Sequence, residues 1–176
     1  MANQVASQSA MRVTGKVEAR VGKTSFVAEP GKQEIVITRL FDAPRERLFK
    51  VMTDPAYIPR WWGPKDYTTI VDKMEFKPGG SWRFINRDTS GNDHGFHGVY
   101  HSITAPERIV DTFEYEGVPG HVLLETHTLE ARGKQTLLTS HVVYESVEDR
   151  DGMVASGMEW GQNESMERLT ELLAKA

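Results

Sequence analysis

Residues 150–175 read RDGMVASGMEWGQNESMERLTELLAK, from Arg150 to Lys175. Met158, Ser165, Leu169 and Leu172 fall on one side at helical spacing, flanked by Val154, Met166 and Leu173. This is an amphipathic helical pattern, and it predicts one long helix over the whole segment. A helix with one apolar stripe needs an apolar surface to lie on. The residues upstream supply such a surface.

Six stretches upstream read as strands: Tyr67–Glu75, Ser81–Arg87, Gly95–Thr104, Arg108–Glu116, His121–Ala131 and Gln135–Tyr144. They are separated by turn residues such as Lys77-Pro78-Gly79-Gly80, Ser90-Gly91-Asn92-Asp93 and Gly117-Val118-Pro119-Gly120. Connections this short favour an antiparallel meander. Ahead of them, Glu34–Phe41 alternates as a strand. Asp42-Ala43-Pro44 then reads as a helix start with Asp42 as the cap. The first helix runs from Pro44 to Met52 and buries Leu48, Phe49 and Met52; Thr53-Asp54-Pro55 restarts a second, ending at Trp62. The predicted class is α+β: a curved antiparallel sheet wrapped around a long C-terminal helix, with two short helices after the first strand. Residues 1–24 are polar and weakly patterned and read as a flexible arm, or else as a strand that covers a partner subunit. Residues 25–176 form a single domain in this scheme, with Thr24–Ala28 as a short extended piece.

Composition removes several classes. The chain has no cysteine, which excludes disulfides, thiolate catalysis and cysteine-based zinc sites. A formal net charge of −4 with no basic block argues against nucleic acid as a partner. No apolar run approaches the length of a membrane span, and Met1-Ala2-Asn3-Gln4 lacks the features of a secretory signal, so a cytoplasmic protein with no membrane partner is expected. Nothing in the sequence calls for a cofactor.

Arg60-Trp61-Trp62-Gly63-Pro64 holds two of the four tryptophans and stops at a helix breaker. Adjacent helical side chains point about 100° apart, so one ring anchors the core and the other is free to line a groove, cavity or interface. Further aromatic residues share strand faces: Trp82 with Phe84, Phe96 with Tyr100, and Phe113 with Tyr115. Most of these belong to the core.

The landmarks, in order, are Phe41-Asp42-Ala43-Pro44-Arg45-Glu46, Thr53-Asp54-Pro55, Arg60-Trp61-Trp62-Gly63-Pro64, Lys77-Pro78-Gly79-Gly80, Gly98-Val99-Tyr100, Pro106-Glu107-Arg108-Ile109, Ser156-Gly157-Met158-Glu159 and Asn163-Glu164-Ser165. Together they resemble the family of homologues of the activator of the heat-shock-protein-ninety ATPase, within the START-like, SRPBCC or Bet v 1-like superfamily, over residues 32–174. The resemblance implies the helix-grip fold, with a cavity between sheet and C-terminal helix. Relatives in the wider superfamily bind lipids, sterols or polyketides, and some are cyclases. Family members often read Gly-Met-Glu-x-Gly-Trp-Asn near the start of the last helix. Here Gln162 stands in place of that tryptophan, and a tryptophan, Trp160, sits two positions earlier. Gln162 then projects near Met158 and Leu169, either as a hydrogen-bonded core amide or as a polar group facing a roomier cavity.

The candidate cavity wall is Trp62, Phe84, Tyr100, Phe113, Met158 and Gln162. No metal site is expected: His97 and His101 share a strand face but stand about 13 Å apart by strand rise, and no spacing matches a known ligand motif. His97 with Val99, and His127 with Leu129, share apolar faces; His121 begins a strand and His94 sits in a turn. Asp111 alternates with Ile109 and Phe113 and is a candidate inward carboxylate; Glu125 and Glu159 are further acid–base candidates. The leading reading is binding of a small hydrophobic or amphipathic molecule. A second is an interaction protein, either a chaperone-associated factor or a homodimer formed through Trp160 or the N-terminal arm. A third is a cyclase- or hydrolase-type enzyme of the polyketide class, using Asp111 or Glu159 with a nearby histidine.

Overall fold

The computed structural model describes residues 19–175. Most of the expected arm, residues 1–18, lies outside them. The chain joins the sheet where the description begins: Val21 bridges Leu40, and β1 (Thr24–Val27) pairs antiparallel with β2 (Glu34–Phe41). Two helices follow, α1 (Arg45–Thr53) and α2 (Ile58–Trp61). Six strands come next: β3 (Thr68–Met74), β4 (Ser81–Arg87), β5 (Asp93–Thr104), β6 (Arg108–Tyr115), β7 (Leu123–Arg132) and β8 (Gln135–Val143). The chain closes with α3 (Val147–Ala155) and α4 (Met158–Ala174).

All eight strands form one antiparallel sheet in the order β1-β2-β8-β7-β6-β5-β4-β3. The pair α1–α2 carries the chain from β2 to the far edge, and the meander then returns strand by strand until β8 lies beside β2. Register shifts between Val71 and Lys73 and between Tyr100 and Ser102 bend the sheet, as bulges do. The concave face is apolar. On β2 and β8, strict alternation turns Ile35, Ile37, Phe41, Leu138 and Val142 inward. The C-terminal half of α4 lowers Met166, Leu169, Leu172 and Leu173 into a core with Phe41, Leu48, Leu129 and Leu138. This is the helix-grip arrangement. Among the described residues no helix is long and apolar enough to cross a membrane.

The structure corrects several local expectations. The single helix over 150–175 is two helices, broken at Ser156–Gly157. Gly157 has φ +84°, the left-handed region that an L side chain rarely enters. α3 starts earlier than Arg150 because the Ser146 hydroxyl accepts the Asp149 amide and caps it. Val154 therefore belongs to α3 and is exposed rather than flanking the stripe. Asp42 does not cap α1. The helix begins at Arg45 with Pro44 in the cap position, so Asp42 lies two residues too early and its carboxylate accepts from Gln135 instead. Val51 is buried in α1 and Met52 only partly so. Thr53-Asp54-Pro55 starts a turn, and α2 does not form until Ile58.

Candidate functional site

α4 grips the sheet along only half its length. Toward its N-terminus, helix and sheet separate, and a cavity of about 770 Å³ opens between them. All six residues expected at the wall line it: Trp62 at the C-terminal cap of α2, Phe84 on β4, Tyr100 on β5, Phe113 on β6, and Met158 and Gln162 on α4.

The two adjacent tryptophans divide as expected, but because the helix ends between them: Trp61 is its last residue and Trp62 already has an extended backbone. Trp61 is buried, and its indole N–H donates to the Val51 carbonyl at 3.1 Å. Trp62 is half-buried and stands edge-on to three rings, with centroids 6.5 Å from Trp82, 5.3 Å from Phe84 and 5.2 Å from Phe96. Phe113 extends this wall at 5.4 Å from Phe96, and Tyr100 meets Phe76 at 5.0 Å. The chain turns away after Trp62 at Gly63, which has φ +84° and lies so close to the Asn86 side chain that a Cβ there would collide with it. From α4, the Arg168 guanidinium donates to the carbonyls of Pro59, Trp62, Gly63 and Pro64 at 2.9–3.2 Å, capping the end of α2. Ser165 adds its hydroxyl as acceptor for the Gly63 amide at 2.9 Å. Sequence spacing did not reveal Arg168, because its partners lie more than a hundred positions away.

The sheet side of the cavity carries a polar group set among apolar walls. Asp111 on β6 lies opposite Glu125 on β7, and His127, two residues further on, shares the face of Glu125. His127 Nε2 lies 3.5 Å from Asp111 Oδ1 and 3.5 Å from Glu125 Oε2. Its Nδ1 is 2.8 Å from the hydroxyl of Ser140, its register partner on β8. Asp111 is 6% exposed, and its Oδ1 has no hydrogen-bond partner; the buried Trp82 indole N–H is likewise unpaired. Burial pushes the Asp111 carboxyl well above the usual carboxylate range, against the pull of His127, and the Glu125 charge adds to the rise. For His127, burial opposes a proton. The adjacent Glu125, together with Asp111, outweighs it and holds the ring protonated above its ordinary range.

The inward placement of Asp111 follows the expected alternation. Glu125 reaches the cavity too, whereas Glu159 is exposed and takes no part in its wall. His97 does not face an apolar layer: it lies on the convex side of the sheet, 3.1 Å from both Glu114 and Glu116, and Val99 beside it is exposed. His94 is part of β5, and His121 precedes β7, 2.8 Å from Asp149. Trp160, 58% exposed, stands at the cavity rim, as does Val118.

Solved structures share this architecture. A protein from Arthrobacter aurescens superposes with a TM-score of 0.80 at 25% identity, covering 86% of this chain and 92% of its own. One from Rhodobacter sphaeroides gives 0.80 at 26%, covering 88% and 100%. One from Mycobacterium smegmatis gives 0.77 at 19%, covering 88% and 99%, a likeness of fold alone. Comparison with curated proteins finds no match. Residues 42–174 match the family described as activator of Hsp90 ATPase homolog 1-like protein, nearly the span over which the motifs carry the resemblance. On that match, the chain belongs to the activator of Hsp90 ATPase homolog 1-like family.

Proposed function

We propose that this protein binds a small hydrophobic or amphipathic molecule in the cavity between the sheet and the α3–α4 segment. The observation that carries this reading is an aromatic-walled space of about 770 Å³ beside a well-packed core. Ligand pockets commonly span about 300–1,000 Å³, are mostly apolar, and hold a few placed polar groups. Among the polar groups here are the Asp111–Glu125–His127 set on the sheet and Gln162 on α4. An amphipathic ligand with an apolar body against Trp62, Phe84 and Phe113 suits that distribution.

Thermal denaturation in the presence of fatty acids, sterols and polycyclic aromatic compounds tests the proposal. A ligand selective for the folded state raises the melting temperature with dose, by about 2.7 kcal/mol of stabilisation at a hundredfold excess over Kd. Trp62 and Trp82 lie in or beside the wall, so the same ligand changes intrinsic fluorescence. If no compound of these classes produces either effect, the proposal fails.

A second reading rests on Trp160, a large ring left 58% exposed at the rim. It supports a role as a contact for a second copy of the chain or for a chaperone. Concentration-dependent sedimentation of the parent and of Trp160→Ser checks the homodimer, and a monomer in both removes it.

A further inference from the structure

We infer that Asp111, Glu125 and His127 form a binding site for a divalent transition-metal ion, with zinc the best fit to the ligand types, on the sheet wall of the cavity. Among the described residues, this is the one group of three such side chains whose ligand atoms fall within 4.8 Å of one another. The distances fit an ion site. The two 3.5 Å separations from His127 Nε2 are longer than good charge-assisted hydrogen bonds. They match the roughly 3.4 Å between two ligand atoms on a tetrahedral ion with bonds of about 2.1 Å.

Two further observations point the same way. Ser140 engages His127 Nδ1 at 2.8 Å, which orients the ring and directs Nε2 toward both carboxylates; metal-bound histidines characteristically have such an outer partner. Asp111 Oδ1 is buried, faces the cavity wall and meets no donor at good hydrogen-bond geometry, although the Trp82 indole N–H and His127 Nε2 lie nearby. Two carboxyl groups share a single imidazole here, and burying carboxylates with so little compensation is costly. A divalent cation would bind all three groups at once.

Three protein ligands leave a coordination position open toward the cavity, for water or for an oxygen donor such as a carboxylate or enolate. That last step rests on the proposed cavity ligand, whereas the metal site itself does not.

The test uses the full chain, stripped with EDTA and titrated with Zn²⁺ by calorimetry and with Co²⁺ by visible absorption, with no organic ligand present. One equivalent should bind, with cobalt bands typical of low coordination. His127→Gln, Asp111→Asn and Glu125→Gln should each weaken binding on the order of 100-fold or more, and Ser140→Ala about 10- to 100-fold. His97→Ala, on the opposite face with Glu114 and Glu116, should leave it unchanged. Circular dichroism identifies any variant that fails to fold, and Ser140→Ala and Glu125→Gln then carry the test. Absence of stoichiometric binding overturns the inference. So does binding that survives the loss of His127 and Asp111 but disappears with His97→Ala. Hydrophobic compounds that fail to stabilise the protein would sink the cavity reading while leaving this result intact.

Discussion

The two halves of α4 belong to different kinds of structure. From Met166 to Leu173 the helix is pressed onto the sheet, with Leu169 and Leu172 among Phe41, Leu48, Leu129 and Leu138. From Met158 to Ser165 it lines a cavity and touches the sheet cluster of Ile35, Val142 and Tyr144 through Met158. The difference lies in side-chain volume. The first half presents Gly161 and Gln162 where the second presents leucines, and a Cβ at Gly161 would meet nothing within 4 Å. One half supplies stability, and the other gives up packing to leave space. Between them, Ser165 and Arg168 fasten the helix to the turn after Trp62, so the roof of the cavity is held even where the core beneath it stops.

If this division holds, truncation in the two halves should differ most of all. Leu169→Ala opens a void in a fully buried site and should cost about 3–4 kcal/mol in chemical denaturation. Met158→Ala trims a half-buried side chain that touches Tyr144 but also borders the cavity, and should cost less, about 1 kcal/mol. Equal losses would break the comparison. Arg168→Met comes next. It strips donors from the carbonyls that end α2 and should destabilise by about 1–3 kcal/mol, with Arg168→Lys recovering only part because an ammonium cannot span the same set of oxygens. Because these carbonyls flank Trp62, the same variant should shift tryptophan emission.

Much of this was legible in the sequence, and what was not has a common cause. Period-two alternation marked Glu34–Phe41 and Ser81–Arg87 at their observed bounds, put Phe84 and Phe113 at the cavity wall and made Asp111 a candidate for the inner face, because burial on one sheet face imposes that pattern locally. Helical rotation implied that Trp61 and Trp62 would diverge, and they do, although Trp62 has already left the helix with an extended backbone. The break at Gly157 was carried by one residue whose left-handed backbone overrode a continuous apolar stripe. The Asp111–Glu125–His127 group could not be found by spacing along one strand. It exists only through the register of β6 on β7 and β7 on β8, which alternation does not set. Arg168 escaped for the same reason, since its partners come from the other end of the fold.

Filling the space should separate stability from binding. Gly161→Leu replaces a helical glycine facing open space, so stability should hold or rise by up to about 1 kcal/mol. Any cavity ligand that stabilises the parent should lose its effect, as read by melting temperature with and without that ligand. A clear loss of stability would mean that the roof is already packed.

The smallest effect concerns the cavity wall, and its sign is the informative part. In metal-free protein, burial raises the Asp111 carboxyl above the ordinary range near 4, so the folded state holds a proton that the unfolded chain has released. Stability must therefore fall as pH rises from about 4 through the raised titration. His127, also raised, contributes stability that is present below its ordinary value near 6.5 and is lost as pH climbs through its folded value. Both groups slope the same way, and the carboxylates held low, such as Asp88 and Glu116, tilt the curve the other way only in the acid range below about 5. Above it, urea midpoints should decline toward alkaline pH by more in the parent than in Asp111→Asn. Ligands must shed protons to hold a cation, so saturating Zn²⁺ should reverse that slope at the alkaline end. The core half of α4 has no such group: Leu169→Ala should lower the whole curve without changing its tilt, and a change in tilt there would mean that the two halves are coupled.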